Sequence, residues 1–342
     1  GYSMNSAVVS TLTVSKYLDL WKRDYAEASV RPRTLESYCS IIKIPLKFAF
    51  GSVKLADLGA HQVQTYYAAR IRSGLSAQTI LHIHRLLSQA LKQAVRWRML
   101  RRNVLEDVSP PPRRRSEMRV LTPDEADALL RAAEPTEYYL PILLALFTGM
   151  RRSEVLGLIW RHIDIAARKL IVSRAMSNLT GNPTHISEPK SFRSMRSLFF
   201  CEEIATLLES HRQNQIAHYG MFDAAITLET QLCARLDGSL VKPNALSKAF
   251  KRIATRAGIT GVRFHDLRHT HATFLLLAGV PIHVVQARLG HESIQTTVDT
   301  YGHLLPTSGA PSGEKLKKFV GRMWAGLDWD WTYRAKSGQI RS

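Results

Sequence analysis

Apolar residues recur at three- and four-residue intervals along residues 11–104, and no strand-like alternation interrupts them. The clearest case follows Ser76, which is placed to cap a helix because apolar side chains then form one stripe from Ile80 to Ala94. The other predicted helix starts are near Thr13, at Arg33-Thr34 after Pro32, and at Asp57 or Leu58. The pattern therefore predicts a small all-helical bundle over residues 11–105.

The helical pattern stops at residues 106–119. Three consecutive prolines, Pro110 to Pro112, cannot continue a helix, and the segment has little apolar surface to bury. Arg113, Arg114 and Arg115 follow directly. These features predict an extended, basic linker between two domains.

A second domain is predicted over residues 120–306, and it opens with strong helix-start signals. Thr122 is suited to the N-cap, Pro123 to the first helical position, and Glu125 to the third position of a capping box. A buried helix over residues 138–148 is expected to follow. The remaining predicted helices cover residues 152–158 and the chain from Glu202 onward.

Two short apolar runs inside this domain favour strands rather than helices. They cover residues 170–172 and 195–200, and the loop between them is rich in Asn, Gly, Pro and Ser. A hairpin in a small antiparallel sheet is the simplest arrangement. The predicted fold class is thus mainly α with a small antiparallel β-sheet, an α+β protein of two domains.

The two ends of the chain lie outside these domains. Residues 1–10 are interpreted as a tail or an expression remnant, because Gly1-Tyr2-Ser3 precedes Met4. Residues 307–342 begin with a Ser-, Gly- and Pro-rich tether and continue into an amphipathic helix whose apolar face runs from Leu316 to Leu327. That face must be buried, and both its own second domain and a neighbouring subunit remain open as partners.

The charge of the chain points to a polyanionic partner. Its 342 residues contain 47 Lys and Arg against 28 Asp and Glu, a formal net charge of +19. Nucleic acid is the commonest polyanion, and the linker arginines are therefore favoured as contacts to a DNA backbone over solvated charges. A hydrophobic fraction of 45% with 22% charged residues is globular composition and excludes a disordered basic tail.

The cysteines and apolar runs argue against secretion and membrane insertion. Cys39, Cys201 and Cys233 are far apart, odd in number and unpaired in spacing, which is typical of a reducing cytosol. The longest apolar run, Tyr138–Phe147, is about half of the ~20 residues that a membrane span needs. The N-terminus lacks the basic segment and apolar core of a signal peptide.

Four patches of the second domain carry residues suited to chemistry on an anion. Arg151 follows a Thr-Gly turn that ends the buried helix, and Lys190 lies in the loop between the strands. His265 and Arg268 are three residues apart, so one helical face presents both. His291 follows Leu289-Gly290, a natural helix stop, and Tyr301 comes ten residues later. Together these groups could converge on one phosphodiester.

Such a convergence would suit transfer of a phosphoryl group to the tyrosine. Two positioned arginines stabilise the charge that grows on the phosphate oxygens of a pentacoordinate state. A phenol must lose its proton as it attacks, which a neighbouring histidine or the arginine field can assist, and a lysine can protonate the leaving 5′-oxygen. The covalent phosphotyrosine keeps the phosphodiester energy, so strands can be rejoined without ATP. His269 and His271 are expected to be structural or surface residues.

Two other classes of function also fit part of the sequence. The helices between His269 and Tyr301 resemble a helix-turn-helix, as in a DNA-binding regulator without catalysis. That hypothesis leaves Arg151, Lys190 and Tyr301 unexplained. A metal-dependent nuclease is the second alternative. It would use ligands drawn from His265, His269, His271 and His291, with Asp266 and Glu292 as the nearest carboxylates.

In order and spacing, the four patches resemble the catalytic domain of tyrosine recombinases, the phage integrase family. The resemblance covers about residues 11–306 and implies a helical core-binding domain that forms a C-shaped clamp with the catalytic domain. Carried over position by position, it implies that the catalytic residues are Arg151, Lys190, His265, Arg268, His291 and nucleophile Tyr301. Glu154 matches a supporting acidic position, and Arg33 and Thr34 fall in a recognisable DNA-binding motif of the first domain.

The resemblance also implies partners and conditions for the reaction. It implies site-specific cleavage and rejoining of double-stranded DNA attachment sites through a 3′-phosphotyrosine, with no metal or nucleotide cofactor. It further implies a monomer when free, a homotetramer on DNA, accessory directionality or DNA-bending proteins, and a cytoplasmic, nucleoid-associated location. This sequence departs from the family pattern at Ser191-Phe192 after the lysine and at Val104 after Asn103. Whether a separate N-terminal arm-binding domain belongs to the protein stays open.

Overall fold

The computed structural model describes residues 11–112, 118–179, 182–187, 195–235, 237–291 and 293–301, together with Gly321. Its chain forms two compact units that divide between Glu117 and Met118. Several residues singled out in the sequence lie outside the described ones. These are Arg113, Arg114, Arg115, Lys190, Glu292, the N-terminal residues 1–10 and, apart from Gly321, the predicted C-terminal helix.

The described part of the first unit is helical, apart from an isolated bridge between Thr13 and Lys54. Its α-helices are α1 (Val14–Trp21), α2 (Glu27–Ser29), α3 (Pro32–Ile41), α4 (Lys47–Phe50), α5 (Ala60–Arg72) and α6 (Ala77–Arg96). Ser76 caps α6 as predicted, since its hydroxyl accepts a hydrogen bond from the Thr79 amide at 3.1 Å. The stripe of α6 is buried against Tyr17, Trp21 and Tyr67 in the core of this unit.

Two local features of the first unit differ from the prediction. The third predicted helix begins at Ala60 rather than at Asp57 or Leu58, because Leu55–Asp57 is a 3₁₀ turn and Leu58 is extended. Two π-helical turns, Lys22–Ala26 and Ile42–Leu46, also interrupt the helices. Pro45 lies in the second of these, where its missing N–H prevents a regular α-helical hydrogen bond.

In the second unit, described helices come before and after the strands in chain order. They are α7 (Pro123–Ala133), α8 (Tyr139–Thr148), α9 (Arg152–Leu156), α10 (Glu202–Gly220), α11 (Pro243–Arg256), α12 (Asp266–Leu277), α13 (Ile282–Leu289) and α14 (Ile294–Tyr301). The predicted capping box is present at α7: Thr122 Oγ1 accepts from the Glu125 amide at 3.1 Å, and Glu125 Oε2 accepts from the Thr122 amide at 2.8 Å. Helix α8 is buried along its whole length except at Tyr139 and packs against α12.

The described strands form two antiparallel sheets instead of the single sheet that was predicted. One sheet has the order β1 (Ile163–Asp164), β2 (Lys169–Val172) and β5 (Arg196–Phe199), with Leu170 opposite Leu198. The segment expected to be a loop between β2 and β5 contains its own hairpin, β3 (Ala175–Leu179) with β4 (Asn182–Ser187). These strands are mostly polar and lack a clear alternation, so their residues carry no strand signal.

No helix in the described part of the chain combines the length and the apolarity that crossing a membrane requires.

Candidate active site

Arg268 is fixed by the ends of two other helices. It lies in the first turn of α12 and is only 2% exposed. Its Nη1 donates to the carbonyl of Gly149 at 2.8 Å, just after α8, and its Nη2 donates to the carbonyl of Leu289 at 2.7 Å, at the end of α13. Burial, together with the positive charge of Arg151, lowers the pKa of Arg268 to about 9, so the guanidinium stays charged at neutral pH.

Left-handed glycines end both of those helices. Gly149 ends α8 at φ 69° and Gly290 ends α13 at φ 67°, as the sequence indicated. Gly149 also has no room for a side chain, because an added Cβ would lie 2.6 Å from Cδ2 of His271. The turn at Gly149 therefore sets both the carbonyl that Arg268 uses and the path of the chain to Arg151.

Glu154 connects two arginines at the start of α9. Its carboxylate accepts from the Arg151 amide at 2.8 Å and from Arg151 Nη1 at 2.8 Å. Arg196, from strand β5, donates two further hydrogen bonds to it at 3.1 and 2.8 Å. Burial alone would raise the pKa of Glu154, but the hydrogen bond and charge of Arg196 and the charge of Arg151 lower it to about 2.

Arg196 is a site residue for which no role was predicted. Its side chain is 8% exposed and pairs with Glu154, while its Nε donates to the carbonyl of Arg288 at 2.8 Å. It thus joins strand β5 to the start of α9 and the end of α13. The signal available in the sequence was its position at the start of a predicted strand, which does not distinguish a buried arginine from an exposed one.

His291 lies among the positive charges of the site. Its Nδ1 is 2.8 Å from Oγ1 of Thr297, which orients the ring. Burial, with the charges of Arg268, Arg151 and Arg196, lowers the pKa of His291 to about 4. The imidazole is therefore neutral at pH 7 and can donate one N–H while the other nitrogen accepts.

His265 stands at the N-cap of α12 and exposes part of its ring. Desolvation of the covered part, then the charges of His269, Arg268 and Arg151, lower its pKa to about 4. With Arg151 it lines a groove of about 930 Å³. Basic and hydroxyl side chains that also line this groove include Arg152, Ser247, Lys251, Thr255 and Arg263.

Tyr301 lies in α14, and its side chain is almost fully buried at 1% exposure. Its Oη lies 2.6 Å from Nδ1 of His269. Burial raises the pKa of the phenol to about 12, although the charge of Arg268 opposes the rise. Tyr301 is thus close enough to Arg268 for the charge of the guanidinium to influence the pKa of the phenol.

The two histidines that were predicted to be structural or surface residues differ in placement. His271 is fully buried and holds a structural position, with Nδ1 3.0 Å from the Leu146 carbonyl and Nε2 accepting from Arg288 Nε at 3.1 Å. His269 instead contacts the tyrosine that was predicted to be the nucleophile. A tertiary contact between residues 32 positions apart has no signature in a single sequence.

The other predicted site residues belong to the first unit or fall outside the described chain. Arg33 and Thr34 are in the first turn of α3, in the first unit, where Arg33 is exposed and forms an ion pair with Glu36 at 2.8 Å. Lys190 and the three linker arginines fall on residues that the structure does not describe.

The residues expected for a metal site have other partners. Asp266 accepts hydrogen bonds from the backbone and side chain of Arg263, and His271 bonds to Leu146 and Arg288. In the ranges that the structure describes, no group of three or more His, Cys, Asp and Glu residues could hold a metal ion. The geometry instead favours a cationic pocket with a buried tyrosine, which suits a phosphodiester substrate.

Comparisons with known proteins show the family of the chain. The model of the phage integrase family matches residues 119–307, more than half of the chain, and that of the phage integrase N-terminal SAM-like domain matches residues 13–69. A tyrosine recombinase XerC-like protein of Caldanaerobacter subterraneus subsp. tengcongensis is 26% identical over 328 residues, which cover 89% of this chain and 83% of the relative.

Solved structures share the fold. The Tn1549 transposon integrase in complex with transposon right end DNA superposes with a TM-score of 0.73 at 22% identity, over 92% of this chain and 100% of that chain. A lambda integrase tetramer bound to a Holliday junction superposes with a TM-score of 0.67 at 18% identity, over 90% of this chain and 81% of that one.

Fold and site together define an enzyme that acts on DNA strands, and the chain belongs to the phage integrase family. It is a site-specific tyrosine recombinase, which cleaves and religates DNA. The predicted fold class is confirmed, and the hypothesis of a regulator without catalysis is set aside.

Proposed function

We propose that Tyr301 is the nucleophile of this recombinase and forms a 3′-phosphotyrosine with the cleaved strand. The observation that carries the proposal is the burial of Tyr301 beside the arginine-rich cluster, where its phenol and the charge of Arg268 influence each other. Attack of Oη on phosphorus forms the Oη–P bond and releases the 5′-oxygen. The new phosphodiester can be attacked in turn by a 5′-hydroxyl, so rejoining needs no ATP.

Arg151 and Arg268 are assigned to the phosphate. Each guanidinium is held by protein acceptors on one side, the carboxylate of Glu154 for Arg151 and two carbonyls for Arg268. Their geometry is therefore set before DNA arrives, which is the condition for stabilising charge that develops in the transition state. His265 and His291, both neutral at pH 7, are assigned hydrogen bonds to the phosphate oxygens.

Lys190 is assigned as the acid that protonates the leaving 5′-oxygen. This role rests on the match to the family pattern, in which a lysine lies in a hairpin. Glu154 is assigned a supporting role through Arg151 and Arg196. The proposal includes no step that uses a metal ion or a nucleotide cofactor.

The first unit is proposed to hold DNA next to the catalytic residues. In this scheme residues 11–105 are the core-binding domain, 106–119 a basic linker, 120–306 the catalytic domain, and 307–342 a tether with a terminal helix. Arg33, Thr34 and the linker arginines Arg113, Arg114 and Arg115 are assigned to the DNA backbone. The net charge of +19 supports a clamp of the two domains around a duplex.

The assembly is proposed by analogy with lambda integrase, whose structure on a Holliday junction is a tetramer. Free subunits are assigned a monomeric state, and four of them join two double-stranded attachment sites. Accessory proteins that bend DNA or set direction are a further part of this proposal. The enzyme would act in the bacterial cytoplasm, on nucleoid DNA.

Covalent capture from a mixture of many sequences tests the proposal, because the target site need not be chosen beforehand. The protein is incubated with a library of random-sequence duplexes that carry a nick, so that cleavage releases a short fragment and traps the adduct. Adducts that survive denaturation are isolated, and their DNA is sequenced. We expect the wild-type protein to enrich one family of sequences, and Tyr301→Phe to bind those duplexes without forming an adduct. An adduct formed by the Phe variant would assign the nucleophile elsewhere.

A further inference from the structure

The contact between His269 and Tyr301 is the shortest link between the proposed nucleophile and a base. Nδ1 of His269 lies 2.6 Å from Oη of Tyr301, and the two ring centroids are 5.8 Å apart. Since the neutral imidazole has one nitrogen that accepts, the phenol O–H can donate to Nδ1. This places a proton acceptor at the atom that must lose its proton.

The position of His269 on α12 connects it to the proposed phosphate site. His265, Arg268 and His269 occupy positions i, i+3 and i+4 and therefore share one face of the helix. The rings of His265 and His269 pack edge to face, with centroids 5.1 Å apart. A phosphate bound by His265 and Arg268 would thus lie on the face that also carries His269.

Other titratable groups of the site have different partners. Nδ1 of His291 is oriented by Thr297, Asp266 accepts from Arg263, and the carboxylate of Glu154 is bound by two arginines. Within the described ranges, His269 is the side chain with a basic nitrogen in hydrogen-bonding distance of Oη.

We propose that His269 accepts the phenolic proton of Tyr301 during strand cleavage and returns it during religation. This inference rests on the proposed function, in which Tyr301 is the nucleophile. In cleavage, the Oη–P bond forms, the P–O5′ bond breaks, the phenolic proton moves to Nδ1, and the acid assigned to Lys190 protonates the 5′-oxygen. In religation the 5′-hydroxyl gives its proton back to that acid, and Tyr301 leaves with the proton held by His269.

The electrostatics of the site agree with this role. A phenol with a pKa of about 12 would be ionised in only about one molecule in 10⁵ at pH 7, so an unassisted tyrosine would rarely be a phenolate. Burial lowers the pKa of His269, and the charges of Arg268 and Arg263 lower it further, although the charge of Asp266 opposes them. The ring is therefore neutral and can accept a proton. The groups that face it are Arg263, His265, Asp266, Arg268, His291 and Tyr301.

The variant His269→Asn distinguishes two roles of His269: positioning Tyr301 through a hydrogen bond, and accepting the phenolic proton. Asparagine can present an acceptor near the position of Nδ1 but is not a base at neutral pH. Single-turnover cleavage is measured on the duplexes enriched by covalent capture, from about pH 6 to about pH 9, a window that spans the ordinary pKa of histidine. We expect DNA binding to be retained and cleavage at pH 7 to fall by about 10²–10³. Above the pKa of His269 the wild-type rate should be flat, whereas the rate of the variant should rise about tenfold per pH unit as hydroxide generates the phenolate.

A second variant guards against a change in folding. His269→Ala leaves a space for free imidazole, which should restore part of the cleavage rate in proportion to its concentration. His218→Asn, on helix α10 and outside the site, controls for the loss of one imidazole and should behave as the wild type. A structural role alone would lower the rate without changing the pH profile and without rescue by imidazole.

The outcomes also distinguish the inference from the proposed function. If the wild-type protein forms no adduct, or if Tyr301→Phe forms one, the proposed function fails. If wild-type adducts depend on Tyr301 but His269→Asn cleaves within about threefold of wild type, or keeps its flat pH profile, the proton-acceptor role of His269 is overturned.

Discussion

Nη1 of Arg268 lies 2.8 Å from the carbonyl oxygen of Gly149, the residue that ends the buried helix α8 in a left-handed conformation. The same guanidinium reaches the carbonyl of Leu289 at 2.7 Å. Two backbone acceptors from separate helices therefore fix its plane, and its orientation toward a phosphate does not depend on DNA. A rigid donor of this kind has little reorganisation to undergo in the transition state.

The first prediction concerns that planar fork. Arg268→Lys keeps the positive charge, but an ammonium group cannot bond to both carbonyls and also present a fork to phosphate. Cleavage should fall by about 10²–10³, while binding of DNA changes little. Single-turnover assays measure this, with Arg131→Lys on the exposed face of α7 as the matched control. Wild-type rates for Arg268→Lys would mean that this residue does not stabilise the reacting phosphate.

The second prediction concerns the turn at Gly149. An alanine there meets the strain of a positive φ and also a contact of 2.6 Å with the ring of His271. Gly258→Ala is the matched control, because Gly258 has φ +75 and open space around it. Gly149→Ala should lower the free energy of unfolding by about 1–3 kcal/mol more than the control. Urea titrations of both variants check the difference, and equal losses would show that the contact is easily relieved.

The third prediction concerns the buried carboxylate of Glu154. Glu154→Gln leaves Arg196 buried without its counter-charge, and breaking such a pair typically costs about 3–5 kcal/mol of stability. Glu202→Gln breaks the exposed pair with Arg168, so its cost should stay below about 1 kcal/mol. Thermal or urea unfolding of the two variants measures the contrast. A loss at Glu154 as small as that at Glu202 would contradict the supporting role.

The fourth prediction concerns the loss of folding stability at acidic pH. Burial lowers the folded-state pKa of His271 well below 6.5 and that of His291 to about 4, so below pH 6.5 the unfolded chain binds more protons than the folded one. Stability should therefore decrease as the pH falls from about 6.5 to about 4. Glu154 should add a further loss only below pH 4.5, toward its folded value of about 2.

Urea unfolding at a series of pH values tests this order. His291→Asn removes one of the titrating groups and should make the upper part of the curve shallower. Constant stability between pH 6.5 and about 4 would be incompatible with neutral, buried imidazoles in the site.

The fifth prediction concerns assembly. Deleting residues 309–342 removes the predicted amphipathic helix but none of the residues assigned to chemistry. Single subunits should still bind DNA, whereas joining of two sites and recombination should weaken. Sedimentation of both proteins on captured DNA sites measures the effect. Equal tetramer formation would assign the helix to packing within its own subunit.

Local signals in the sequence predicted most of the architecture. Ser76, Thr122 and Glu125 form the caps that their residue types and spacing indicated, and Gly149 and Gly290 end helices where a left-handed residue was expected. These features depend on residues within a few positions of each other. The apolar stripe of α6 likewise follows directly from helix periodicity.

Features that depend on distant partners were not predictable in the same way. The burial of Arg196 depends on Glu154, 42 positions away, and the placement of His269 depends on Tyr301. The hairpin of β3 and β4 is polar, so its strands pair through the backbone without an apolar signature. The predicted start of α5 was wrong because the 3₁₀ turn Leu55–Asp57 precedes the helix. Residues that favour such a turn also favour the first turn of an α-helix, so the sequence does not distinguish the two.

The separate cores of the two units have an evolutionary consequence. Trp21 and Leu87 belong to one core, and Leu144 and Leu267 belong to the other. A substitution that repacks the core of the first unit need not be compensated in the core that contains Tyr301, because the described residues of the two cores do not overlap. Under the proposed function, related enzymes can therefore evolve a new DNA target site through substitutions in the first unit. The catalytic residues of the second unit are then inherited unchanged.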